Sequence, residues 1–171
     1  MTNDPKDDSA DATSWHDTDQ AAGLAPIRFL EGAWHGEGQG PYGPYALDAT
    51  VEIRGRWLLL TYQISEPTSH DVFYVSTQVY GYDDDGLVLQ LFDTAGFFAF
   101  RGVVLDDGGV RFDWTNEDRQ EGEDFWKRSE FHPQDGRLNF RYDSMEPGQS
   151  DDASEELLTF EGLWIAGERP T

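Results

Sequence analysis

The chain has 171 residues, no cysteine, and 34 acidic against 12 basic side chains, for a formal charge of -22. That length fits one domain with a self-sufficient core, and the missing thiols exclude disulfides, thiolate catalysis and cysteine-bound metal. A surface so acidic repels phosphate, which excludes nucleic acid and anionic membrane as expected partners. The first residues, 1–23, read as a disordered acidic tail. Met1 to Gln20 holds six aspartates and one lysine with almost nothing apolar except Trp15, too little to offset the entropy of ordering. The tail accounts for -5 of the charge and leaves -17 on residues 24–171, which read as a single β-barrel domain. Lysine is confined to Lys6 and Lys127, against ten arginines. Such a surface fits a salt-rich cytoplasm, where screening removes self-repulsion, or an arginine-favouring genome. No signal-peptide pattern and no membrane-length apolar run is found, so the default expectation for location is cytoplasmic.

From Ala25 the texture changes. Pro26 to Leu30 reads as one helical turn, with Pro at a first helical position and Gly32 beyond its end. Segments alternating with period two follow. Arg137 to Asp143 sets Leu138, Phe140 and Tyr142 on one face and Arg137, Asn139, Arg141 and Asp143 on the other. Val110 to Thr115 and Tyr45 to Ile53 repeat the pattern. Each is the mark of a strand with one buried and one wet face. Asp83-Asp84-Asp85-Gly86, Asp106-Asp107-Gly108-Gly109 and Pro133-Gln134-Asp135-Gly136 supply the turns. The runs give about ten strands: 33–40, 44–54, 56–65, 72–82, 86–94, 96–105, 109–116, 124–132, 137–144 and 156–165. Almost nothing between them is long enough for a crossover helix, so they should pair in sequence order as an antiparallel meander. Closure into a barrel removes the two free edges; a two-sheet sandwich is the competing arrangement.

Phe29-Leu30-Glu31-Gly32-Ala33-Trp34-His35-Gly36-Glu37-Gly38-Gln39-Gly40 is the most specific motif, of the form F-L-x-G-x-W-x-G-x-G-x-G. A helical turn feeding Gly-x-Trp on a first strand resembles the entrance of calycin-type barrels, the lipocalins and fatty-acid-binding proteins among them. The glycine continuation is similar to nitrobindin-like haem barrels and related uncharacterised barrel families. The resemblance implies a fold class that is all-β, with about ten antiparallel strands closed into a calycin-like barrel behind a short N-terminal helical turn. Trp34 would plug one end, and alternate glycines would let the first strand bend. In the nitrobindin-like barrels a histidine near the end of the barrel holds haem. The last strand here, Glu155 to Ile165, has none, and the four histidines (His16, His35, His70 and His132) lie elsewhere. The expected cofactor set is therefore empty.

The carboxylates make no metal site. Asp83, Asp84 and Asp85 run straight into Gly86 without the alternation of a calcium loop, and they read as a hairpin. Gly36, Gly38 and Gly40 lie within a strand, away from any helix N-terminus that could meet a phosphate. Phe125 to His132 is the informative stretch. Either Phe125, Lys127, Ser129 and Phe131 face inward, or Trp126, Arg128, Glu130 and His132 do, and both choices bring charge toward the lumen. A buried charge must be paired or must meet a ligand. In fatty-acid-binding relatives an inward arginine and tyrosines receive a carboxylate, and the resemblance implies that role for Arg128 with Tyr142, Tyr62 and Tyr80. The candidate ligand-contacting residues are thus Trp34, Tyr62, Tyr80, Arg128 and Tyr142, with Lys127 as the neighbouring alternative anchor; no catalytic residue is assigned. The expected partner is a small apolar or amphipathic molecule, carboxylated if the cation anchors it, held among some of the 24 aromatic side chains. An enzyme of isomerase or lyase type on the same fold, or a scaffold with a filled lumen, are the alternatives. A homodimer is compatible with the sequence.

Overall fold

The computed structural model describes residues 23–93, 96–115, 126–146 and 156–167. The acidic tail up to residue 22 lies outside the described residues. Those described form a 3-10 turn, Ala25–Leu30, and ten strands. They are β1 (Gly32–Gly40), β2 (Gly43–Arg54), β3 (Trp57–Ser65), β4 (Val72–Asp83), β5 (Gly86–Asp93), β6 (Gly96–Val104), β7 (Val110–Thr115), β8 (Trp126–Gln134), β9 (Arg137–Glu146) and β10 (Glu156–Ala166). Every neighbouring pair is antiparallel and sequential, and β1 pairs with β10, so the sheet is a closed barrel and the sandwich is excluded.

Turn chemistry sets the hairpins. Asp135 and Gly136 both have positive φ, 41° and 76°, the backbone sign that an Asp-Gly loop supplies and that matches strand twist. The sequence pattern ends the eighth strand at His132, yet β8 runs through Pro133, which sits opposite Leu138. The reason is local. β7 begins at Val110, opposite Phe131, so past Phe131 the strand has one ladder partner only and tolerates a residue without an N–H.

The closing seam explains the glycines of the first motif. Gly38 lies opposite Gly162 of β10, and together they form a slot for the Tyr45 ring, whose hydroxyl donates to the Glu161 carbonyl at 3.0 Å. A methyl group at Gly38 would collide with that ring and with the Glu161 carbonyl oxygen. The glycines therefore serve close approach at the seam.

One end of the barrel is stopped. The 3-10 turn lays Leu24, Ile27 and Leu30 over it, all fully buried, and Trp34 Nε1 donates to the Leu30 carbonyl at 2.7 Å. Inside that half, Tyr80, Phe112, Phe131, Phe140 and Trp164 pack edge-on and tilted, at centroid distances of 5.2 to 6.2 Å. Trp164 thus fills the lumen against Phe131 and Phe140, while Trp34 seals the seam below it through its hydrogen bond to the turn.

Candidate functional site

The opposite half of the lumen is different. Counting inward positions from the register, it is walled by Tyr62, Tyr74, Phe98, Trp114, Tyr142 and Phe160, all only partly buried. Partial exposure of all six sets this half apart from the enclosed rings Tyr80, Phe112, Phe131 and Trp164 of the other. The rings meet as pairs: Tyr62 with Tyr74 at 5.8 Å, Phe98 with Trp114 at 5.2 Å, and Tyr142 with Phe160 at 6.2 Å.

Strand β8 settles the choice of faces. Ser129 and Phe131 are buried, 2% and 0% exposed, and Lys127 alternates in phase with them, between Trp114 of β7 and Ser144 of β9. Lys127 therefore points inward. Its Nζ donates to Ser144 Oγ at 3.0 Å and stands 5.0 Å from the centroid of the Phe98 ring, within cation–π range. It is the one ionised side chain among the described inward side chains. Two residues deeper, the Ser129 hydroxyl is buried and has no hydrogen-bond partner among the described residues, and the Trp164 indole N–H shares that condition. Such orphaned groups cost free energy unless something polar meets them.

Tyr80 in the packed half and Tyr45 at the seam are neutral donors. Burial, then the neighbouring Tyr62, pushes the Tyr80 hydroxyl well above its ordinary value, and this hydroxyl donates to Gln78 Oε1. Tyr45 is raised in the same way, by burial first and then by Tyr62 and Glu161.

Of the sequence candidates, Tyr62 and Tyr142 both stand on the mouth wall, in separate ring pairs. Trp34 and Tyr80 belong to the packed half. Arg128 does not reach the lumen: it stands on the outer face, where its Nε donates to Asp113 Oδ1 at 2.6 Å and its guanidinium lies over the Trp126 ring at 5.4 Å. The reason is the period of two. With Phe131 needed for the core, Lys127 is carried inward and Arg128 outward. Phe98, Trp114, Ser129 and Ser144 were missed. Phe112 and Trp114 share one face of a strand that alternates cleanly, a signal that could have placed Trp114; Ser129 and Ser144 carry no such mark.

Outside, Arg128 belongs to a ladder. Arg111, Glu130, Arg141 and Glu161 lie across one row of β7 to β10, and Asp113, Arg128, Asp143 and Thr159 across the next. Arg111 Nε reaches Asp113 at 2.7 Å, Arg141 reaches Asp143 at 2.8 Å and Glu161 at 2.5 Å, and Thr159 donates to Asp143 at 2.7 Å. Opposite charges facing across strands support the sheet.

No protein-family model and no curated protein matches this chain. Among solved structures, the crystal structure of Rv2717c from M. tuberculosis matches with a TM-score of 0.63 and 14% sequence identity, over 85% of this chain and 98% of that one. A likeness at that identity shows the fold alone.

Proposed function

We propose that the barrel binds a small amphipathic molecule with an anionic head group of carboxylate type. The head meets Lys127 and the Ser129 hydroxyl, and the apolar body lies among Phe98, Trp114, Tyr142 and Phe160. The observation that carries this reading is the inward ammonium of Lys127 in a partly solvated aromatic wall. Aromatic walls with a few fixed polar groups are the usual make-up of a small-molecule site, and a cation on one wall selects the charge and the direction of entry. The likeness of the first-strand motif to calycin-type barrels supports the same reading.

The test compares a fluorescent polyene acid, cis-parinaric acid, with its methyl ester on the full chain. Both are expected to bind. Lys127→Met should weaken the acid about tenfold or more, the equivalent of one charge-assisted hydrogen bond, and leave the ester within about twofold. Arg128→Ala, on the outer face, should change neither. Equal loss of acid and ester in Lys127→Met would trace the effect to packing, and no binding of either to the parent chain would leave a filled scaffold.

A further inference from the structure

The outer surface of the barrel is divided by charge. On β7 to β10 it is the ion-pair ladder. On β3 to β6 the outward positions read Leu59, Thr61 and Gln63, then Val75, Thr77 and Val79, then Val88, Gln90 and Phe92, then Phe97 and Ala99, with no ionised residue among them. Charge returns at both ends, at the stopped end where Arg101 binds Asp83 at 2.7 Å and at the mouth where Glu66 and Asp71 stand exposed in the loop from β3 to β4. On a chain of charge -22 a neutral face four strands wide is the exception. It is also apolar where it stands furthest out: Phe73 is 62% exposed, Phe97 57% and Val75 55%, and Phe92 packs on Phe97 at 5.1 Å. Beside this ridge runs a groove of about 330 Å³ on the outer wall of β1 to β4, bordered by Thr50, Thr61, Gln63 and Val75, with Asp48 of β2 also on its border.

We infer that this face is a self-association surface, and that its occupant is a second copy of the chain. Two features choose the copy over another partner. The first is charge. Most other approaches between two such acidic molecules set carboxylates against carboxylates, whereas the outward strand positions of β3 to β6 named above carry none, and Asp48 on the groove border would meet the other copy's phenylalanines rather than a second carboxylate; a basic partner would be drawn to the acidic surfaces instead. The second is shape. A two-fold contact needs a patch that complements itself, and the face holds a ridge of phenylalanines and an adjoining groove, so each copy's ridge can enter the other's groove. Four strands about 4.8 Å apart and about seven residues long at about 3.3 Å each span about 19 by 23 Å. That is smaller than the roughly 800 Å² per partner of a standard interface, so the dimer dissociates readily.

Sedimentation equilibrium of the full chain from 2 to 200 µM, at low and at 0.5 M potassium chloride, reads the association. The weight-average mass should rise toward twice the monomer value with concentration, and at lower concentration in the higher salt, where the repulsion of two acidic bodies is screened. Phe97→Glu and Val75→Asp should each weaken dimerisation at least tenfold, with the melting curve and parinaric acid binding unchanged. Asn139→Asp, on the ladder side, should leave it intact. A parent chain monomeric throughout, or a dimer that survives both substitutions, overturns the inference. So does binding of the monomer to neutral phosphatidylcholine vesicles that Phe97→Glu abolishes, which would give the face to a lipid surface.

Discussion

The two halves of the lumen are built from the same residue types and reach opposite ends. In the stopped half Tyr80, Phe112, Phe131 and Trp164 are fully enclosed and stack on one another beneath Leu24, Ile27 and Leu30. In the mouth half Tyr62, Tyr74, Phe98 and Trp114 make pairwise contacts along the wall and remain open to solvent. The 3-10 turn makes the difference, because it supplies the apolar lid that lets one set of rings close. The lesson is that aromatic content does not distinguish a core from a pocket; what caps it does. The mouth half compensates from outside, where the ladder on β7 to β10 ties strands that internal packing ties less.

Truncation gives the largest separation. Phe131→Ala or Trp34→Ala should each cost about 3–5 kcal/mol in urea unfolding, through a cavity that enclosed neighbours cannot fill. Trp114→Ala at the mouth should cost about 1.5 kcal/mol or less, because solvent already reaches the ring. Equal costs would mean that the mouth is packed as tightly as the floor. At the seam, Gly38→Ala must displace the Tyr45 ring and is expected to destabilise by about 1–3 kcal/mol, whereas Tyr45→Phe, which keeps the ring and loses one hydrogen bond, should cost about 1 kcal/mol. A harmless Gly38→Ala would remove close approach as the reason for that glycine.

On the outer wall, Asp143→Ala removes the acceptor shared by Arg141 and Thr159. The carboxylate is buried but Arg141 is half solvated, which sets the expected loss at about 1–2 kcal/mol. No loss would show that the mouth half stands without its ladder.

The smallest effect belongs to His132 at the stopped end, where Asp107 Oδ2 lies 2.7 Å from its Nδ1. The hydrogen bond to Asp107 raises the histidine, and Glu130 adds to this; the same bond holds Asp107 below the ordinary carboxylate range. A raised histidine contributes stability below its ordinary value of about 6.5 and loses it as pH rises through the raised value. A lowered aspartate contributes above the ordinary carboxylate range and loses it as pH falls through the lowered one. The pair is therefore complete only between those limits. The parent should melt about a degree or two above His132→Gln at pH 5.5, with the gap closing by pH 9. A gap that widens with pH would reverse the assignment.

Much of the architecture was legible because the local signals agree with one another. Arg137 to Asp143 alternates without exception, and Asp135-Gly136 can hardly do anything but turn. β9 therefore begins at the residue that the pattern picks. Tyr142 was likewise readable on the inner face, in phase with Leu138 and Phe140, whereas Tyr62 came only with the resemblance to fatty-acid-binding barrels. The anchor was not readable. Strand β8 carries rings on both faces, Trp126 on one and Phe131 on the other, so its own pattern is indifferent to which face turns in. Register with β7 and β9 decides it, and register is a property of three strands.

What the sequence by itself determined is the chain of strands, their order and their acidic dress, because period, turn chemistry and charge are written in neighbouring residues. Which cation enters the lumen, which rings are floor and which are wall, and which side of the barrel is left uncharged were decided only by the tertiary structure. Each depends on residues distant in the chain: β1 meeting β10 to close the barrel, a 3-10 turn folding over one end, and four consecutive strands whose outward positions become a single face only once they lie side by side. A pairwise register can move every side chain of a strand to the other surface by a shift of one residue, and that choice is fixed by packing across the barrel.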